Sequence, residues 1–206
     1  MTKRLLIAVF SLFIAPIWVL AQSAESVARE REEYSVYSAI IVQYAYEETG
    51  TFVIANPTTN LSYEPKLKSL EFRPFDFRPP IPVLSPDTLD DFIQRNRTNR
   101  WLTTKLEIDR KYVLVDYQEI RRLADWDHPN TAPGQMMEEW KDFFKAYPAT
   151  HGFVSLSRVG FNQQMDQALV HIGWRCPSLC GHWSFILLTK KDGIWKMGGE
   201  ANRIVS

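Results

Sequence analysis

From His151 onward the chain changes period, and this limits the folds open to it more than any other feature. "GFVSLSRVGFN", "QALVHIGW" and "HWSFILLTK" alternate with a period of two, the signature of strands, and Lys191-Asp192-Gly193 reads as a turn into a fourth strand, "IWKMG". Four consecutive strands joined by short connections predict an antiparallel meander, which must bury one face against something else. The upstream sequence supplies the cover. Tyr34, Tyr37, Ile41 and Tyr44 recur at helical spacing, with Val36 and Ile40 widening the stripe. Met136, Trp140, Phe143 and Tyr147 do the same over 134–147, until Pro148. The expected class is therefore α+β: N-terminal helices packed on a C-terminal antiparallel β-meander.

The first residues set the compartment. Lys3 and Arg4 precede an apolar run from Leu5 to Leu20, followed by "VLAQS" with Val19 and Ala21 where a signal peptidase reads. The run is broken by Pro16 and is short for a span of roughly 20 residues, so residues 1–21 are read as a cleaved export signal and the mature protein as periplasmic or secreted. This leader takes two of the 24 basic residues and none of the 24 acidic ones. What remains, residues 22–206, is 185 residues with a formal charge of −2, enough for one domain and too few for two. That balance offers no long-range field for nucleic acid or an anionic membrane surface, and no transmembrane segment is expected after signal cleavage.

Between Asn56 and Pro86 lie seven of the twelve prolines. Proline removes amide donors and keeps its predecessor extended, so the segment is expected to run as a surface strap with Phe72, Phe75 and Phe77 tucked inward. "TFVIAN" before it and "KYVLVDY" after it read as strands, the latter followed by a short helical piece with Ile120 and Leu123. Ser85, Pro86 and Asp87 open a helix whose buried face is Leu89, Phe92 and Ile93. Its far end is basic, with Arg95, Arg97, Arg100 and Lys105. Basic residues belong in the last turn of a helix in any case, so a solvated face is preferred there over a phosphate-binding patch.

Cys176 and Cys180 are the only cysteines and fall in a hairpin connection, "GWRCPSLCGHW". The preferred reading is a structural disulfide between them, since an exported chain oxidises a lone pair. The alternative is a copper, zinc or thiol-redox site using Cys176, Cys180 and His182, with His171 as a further nitrogen donor. Against it, a tetrahedral zinc site is one ligand short, and redox pairs normally hold two intervening residues where this one holds three.

No catalytic constellation is expected. His171 is assigned to the less apolar side of its strand, as a structural or surface residue. Ser155, Ser157, His151 and Asp166 make a triad only on paper, without a nucleophile elbow around either serine. Glu138 and Glu139 read as a solvated helix face, and no phosphate loop, dinucleotide fingerprint or zinc-protease helix is present. Arg158, Asn162, Asp166 and Gln167 are expected to form a buried network that fixes strand register.

"SLSRVGFNQQMDQALVHIGW", together with "WSFILLTKKDGIWK" and the opening "EEYSVYSAII", resembles a group of uncharacterised bacterial exported proteins. The resemblance covers most of the mature chain and implies no activity, cofactor or catalytic residue. "KKDGIWKM" also resembles the terminal hairpin of cystatin-like and NTF2-like folds, in which a helix packs in the hollow of a curved sheet. The expected function is an exported, non-enzymatic binding or envelope-associated domain for an unknown protein or small-molecule ligand. A metal or thiol-redox protein, or a small hydrolase, is the alternative.

Overall fold

The computed structural model describes residues 24–43, 50–60, 71–74, 82–124, 136–177 and 181–205. The expected export signal (residues 1–21), Tyr44, Phe75, Phe77, residues 125–134 with His128, and Cys180 lie outside the described residues.

The fold is α+β, a mixed sheet with helices on both faces. Residues 24–43 form helix α1. They are followed by β1 (Phe52–Asn56), β2 (Phe72–Pro74), α2 (Pro86–Arg95), β3 (Tyr112–Asp116) and α3 (Tyr117–Leu123). Then come α4 (Met136–Glu139), α5 (Lys141–Ala146), β4 (Phe153–Leu156), β5 (Gly160–Phe161), β6 (Gln167–Arg175), β7 (His182–Lys191) and β8 (Ile194–Val205). The strand order is β2-β8-β7-β6-β4-β1-β3, and β5 also pairs with β6.

The antiparallel meander exists as β4, β6, β7 and β8, and the β7–β8 turn places Asp192 and Gly193 at φ 53° and 79°, as a tight hairpin turn of this hand requires. Two expectations need correcting. The sheet is not purely antiparallel, because β1 lies parallel to both β3 and β4 and extends the meander at one edge. "GFVSLSRVGFN" is not one strand: it breaks after Leu156, and its two parts pair with opposite ends of β6. The expected helix over 134–147 is likewise divided at Trp140 into α4 and α5. The strap contributes β2, a three-residue strand at the other edge, where a proline is tolerated.

α1 covers one face of the sheet. Val36, Tyr37, Ile40 and Ile41 pack on Phe52, Ile54, Val154, Leu156, Val170 and Ile172, all of them buried. At roughly 1.5–3 kcal/mol for each large side chain removed from water, this face, more than helix propensity, holds α1 in place. The opposite face is shared. α2 sets Phe92 against Leu169, Phe185 and Ala201. α3 and α5 set Ile120, Trp140 and Phe143 against Val53, Ala55, Val115 and Phe153. β1 is thus buried at all five positions, which is why it reads as a continuous apolar run.

α2 sits very close to β5. A Cβ on Gly160 would come within 2.5 Å of the backbone nitrogen of Phe92, so only glycine admits the helix at this depth. At its start, α2 is tied to β6 by Gln167, which accepts from the Ser85 amide (2.7 Å) and the Thr88 hydroxyl (3.1 Å) and donates to the Val83 carbonyl (2.9 Å). Ser85 is the N-cap residue, but its hydroxyl donates to Asp87 and makes no cap bond to the helix backbone.

Candidate functional site

The break between β4 and β5 creates the site. The Ser157 amide still donates to the His171 carbonyl (2.9 Å), but beyond it the ladder is interrupted through Val159 and leaves buried backbone groups that must find other partners. Asn96, at the end of α2, takes both polar groups of Arg158: Oδ1 accepts its N–H and Nδ2 donates to its carbonyl, each at 2.9 Å. Glu33 Oε1 accepts the Val159 amide at 3.2 Å, and Asp91 accepts the Phe161 amide at 2.8 Å. The Tyr37 hydroxyl is shared between the Ser157 carbonyl (2.9 Å) and Glu33 Oε1 (3.0 Å). One turn of α1, Glu33 to Tyr37, and one turn of α2, Asp91 to Asn96, thereby complete a broken strand.

Completing the strand buries a carboxylate. Glu33 is 1 % exposed, and a buried charge needs counter-charge. Arg95 donates to Glu33 Oε2 at 2.7 Å and Arg100 to the same oxygen at 2.9 Å. Arg158 Nε lies 3.9 Å from Glu33 Oε1, beyond hydrogen-bonding distance. Around this core Arg29 pairs with Asp91, and Glu30 pairs with Arg100 (3.0 Å) and Lys105 (2.8 Å). The connected centre holds five cationic side chains against three carboxylates, two positive charges in excess.

The excess is felt most at Arg158 and Arg95. The Arg158 side chain is only 20 % exposed, yet none of its N–H groups donates a hydrogen bond to a described residue, and its Nε is buried without an acceptor. Burial holds Arg95 below the ordinary guanidinium range, with Glu33 opposing and the charges of Arg158 and Arg29 adding to the depression. Tyr37 is pushed well above the usual phenol range, first by burial and then by the Glu33 charge, so its hydroxyl remains a proton donor. Lys105, as a hydrogen-bond donor, keeps Glu30 below the usual carboxylate range despite some desolvation.

The next residue on α1 makes a different contact. Glu32 accepts from Lys190 Nζ at 2.7 Å and from Trp195 Nε1 at 2.9 Å, fastening the β7–β8 hairpin to the helix. Two concavities flank the outer side of α1. One, about 410 Å³, is lined by Val27, Glu30, Tyr34 and Lys105 among others; the second, about 720 Å³, by Val27, Arg31, Glu32 and Lys190. Val27 is shared by both and is 66 % exposed.

The solvated face expected for Arg95 and Arg100 is thus overturned: the two turn inward onto Glu33, because the strand break has placed a carboxylate there. Arg97 alone of the group makes none of these ion pairs and is exposed. The expected register-fixing network exists in two parts. Asn162 Oδ1 accepts the amides of Asp166 (3.0 Å) and Gln167 (2.9 Å), and its Nδ2 donates to Asp166 (2.6 Å), while Arg158 joins Glu33 instead.

Cys176 is buried immediately after β6, and His182 opens β7 in register with Trp174. Among the described residues no group of three His, Cys, Asp or Glu side chains is placed to hold a metal ion. His171 is not a surface residue. It is largely buried against the Phe185 ring, 4.8 Å between centroids, and burial depresses its pKa to about 4. The paper triad is not assembled. Ser157 donates to the Arg158 carbonyl and accepts the His171 amide, His151 precedes β4, and Asp166 precedes β6 at its other end. Glu138 forms an exposed ion pair with Lys141, as a solvated face should. Ser184, fully buried, donates to Glu200 at 2.5 Å, a pair that no local pattern signals.

Glu33 itself was the main omission. Its signal is the four-residue step 33, 37, 41, which extends the apolar stripe of α1 backwards onto a glutamate. Among the described residues no helix is long and apolar enough to cross a membrane. Compared with protein-family models, curated proteins and solved structures, the chain has no match in any of the three.

Proposed function

We propose that this chain is an exported, non-catalytic binding domain whose recognition element is the guanidinium-rich centre between α1, α2 and the β4–β5 break, and that it recognises an anionic group on its ligand. One observation carries the reading: Arg158, four-fifths buried beside Arg95, leaves its donors without an acceptor among the described residues, in a centre whose described ion pairs are two charges positive. A guanidinium desolvated to that extent is costly unless an acceptor completes it. Export rests on the Lys3–Ala21 leader, and the Cys176–Cys180 disulfide on the oxidising compartment it implies; no cysteine among the described residues is a free thiol.

Two measurements test the reading. Intact mass of the exported protein should lack the leader and lie two hydrogens below the reduced chain, with no alkylation. A full-length mass would refute cleavage of the leader. A mass carrying copper or zinc, or two alkylated thiols, would move the site to Cys176, Cys180 and His182. Thermal unfolding at fixed ionic strength should shift upward with small anions and stay still with neutral or cationic solutes; no response to any anion refutes the recognition element.

A further inference from the structure

We infer that the anionic group recognised at Arg158 is a tetrahedral dianion, a phosphoryl or sulfuryl group, held by the guanidinium groups of Arg158 and Arg95 with Arg29 at the margin. The inference rests on the anion-binding reading above and narrows it to a ligand class.

Three features point to the class. The charge excess of the centre is two, so a monoanion such as a lone carboxylate leaves one charge uncompensated where Arg95 is already 13 % exposed. The backbone donors at the break are consumed: the amides of Arg158, Val159 and Phe161 go to Asn96, Glu33 and Asp91. An incoming anion must therefore be held by side-chain donors alone, and several guanidinium groups with unused N–H groups converge here. Planar forks of this kind match the paired oxygens of a phosphoryl or sulfuryl group, whose further oxygens remain for a second fork. Lastly, the cations around Arg158 are fixed before any ligand arrives. Arg95 and Arg100 are anchored on Glu33 and Arg29 on Asp91, so little side-chain entropy is left to lose on binding.

The groups that face the bound anion from each packed element are Arg29, Glu30 and Glu33 on α1, Asp91 and Arg95 on α2, Arg100 and Lys105 on the following loop, and Arg158 at the break. The arginines keep their charge between pH 5 and 7.5, so a pH dependence that follows the ligand's own ionisation identifies its charge state. A phosphomonoester loses most of its second charge across that range, having a second pKa of about 6, whereas sulfate keeps both.

The test is calorimetric titration of the full exported protein with glycerol 3-phosphate, inorganic phosphate, inorganic sulfate and succinate at constant ionic strength. The phosphate pair and sulfate should bind at pH 7.5, and succinate at least tenfold more weakly. Lowering the pH to 5 should weaken glycerol 3-phosphate about tenfold and leave sulfate unchanged, the sulfate arm also controlling for Glu30, Glu33 and Asp91. Whichever of ester or free phosphate binds more tightly names the source of the group. Arg158→Met should weaken phosphate at least tenfold, while Arg97→Met should not. Should Arg158→Met fail to fold, Arg158→Lys keeps the charge and loses the fork, and about a fivefold loss is expected. Succinate, also a dianion at pH 7.5, binding as tightly as phosphate, with loss in the Arg158 variant, overturns the tetrahedral class and leaves the anion-binding domain standing. Phosphate binding that ignores Arg158 overturns the site. Failure of all four ligands overturns this inference and the reading beneath it.

Discussion

Glu32 and Glu33 are neighbours on one helix, separated by about 100° of rotation, and they do unlike things. Glu32 meets one ammonium and one indole N–H, and its charge is balanced by Lys190 in a partly exposed clasp. Glu33 is buried, meets three guanidinium groups and leaves the surroundings over-charged. The first closes a hairpin onto a helix and needs nothing more. The second completes a broken strand and, in being neutralised, assembles an excess of cations that no described group answers. A single step along a helix separates a finished contact from one that a ligand can finish.

The largest effect should come from breaking the second member of the pair. Glu33→Ala leaves Arg95, Arg100 and Arg158 facing one another and orphans the Val159 amide. A loss of about 3–5 kcal/mol is expected in urea denaturation, or failure to fold; a loss below about 1 kcal/mol would mean that the centre contributes nothing to stability. Next comes an acid effect that must not be credited to either glutamate. His171, on the opposite face, has a folded-state pKa of about 4 against an ordinary value of 6.5. The unfolded state therefore binds the proton first, and stability falls as pH drops from about 6.5 toward 4. His171→Leu should remove about 2 kcal/mol of the difference in unfolding free energy between pH 7 and pH 5. If the slope is unchanged in that variant, the imidazole is not held neutral by burial.

Smaller still is the clasp. Burial pulls Glu32 upward, but the Lys190 and Trp195 hydrogen bonds outweigh it and keep it below the usual carboxylate range. Its contribution is therefore present above about pH 4.5 and lost as pH falls through the lowered folded-state value. Glu32→Gln should cost about 1 kcal/mol at pH 7, a gap that closes in acid; a gap independent of pH would assign the loss to packing. The smallest effect is the reference point. Glu119→Gln breaks an exposed i,i+3 pair with Arg122 on α3 and should leave the urea midpoint unmoved within error.

The contrast also marks what could be read before the structure. The apolar stripe of α1, the Asp192-Gly193 turn, the α2 start at Pro86 and the meander itself are local patterns, and among the described residues each lies where its period put it, the break after Leu156 apart. The parallel pairing of β1 with β3 and β4 joins residues some 60 and 100 positions apart, and no period reports such a contact. β1 still carried a hint in its unalternated apolar run, which marks a strand covered on both faces. The site was illegible for a stricter reason. A glutamate in "REREEY" resembles its exposed neighbours until a strand break elsewhere turns Val159 toward it, and the basic tail of α2 looks solvated until that glutamate is known to be buried.

The contact of Gly160 with α2 bears on how such a site can vary. Arg95, Asp91 and Asn96 all ride on a helix whose height above the sheet is set by the missing side chain of one residue in β5. A methyl group there would lift the helix and carry three polar partners with it at once, away from Glu33, Phe161 and Arg158 together. The charges could be exchanged one by one through mutation, but the spacing between the two helices cannot drift gradually, and an inherited change at this single position would erase the centre in one step.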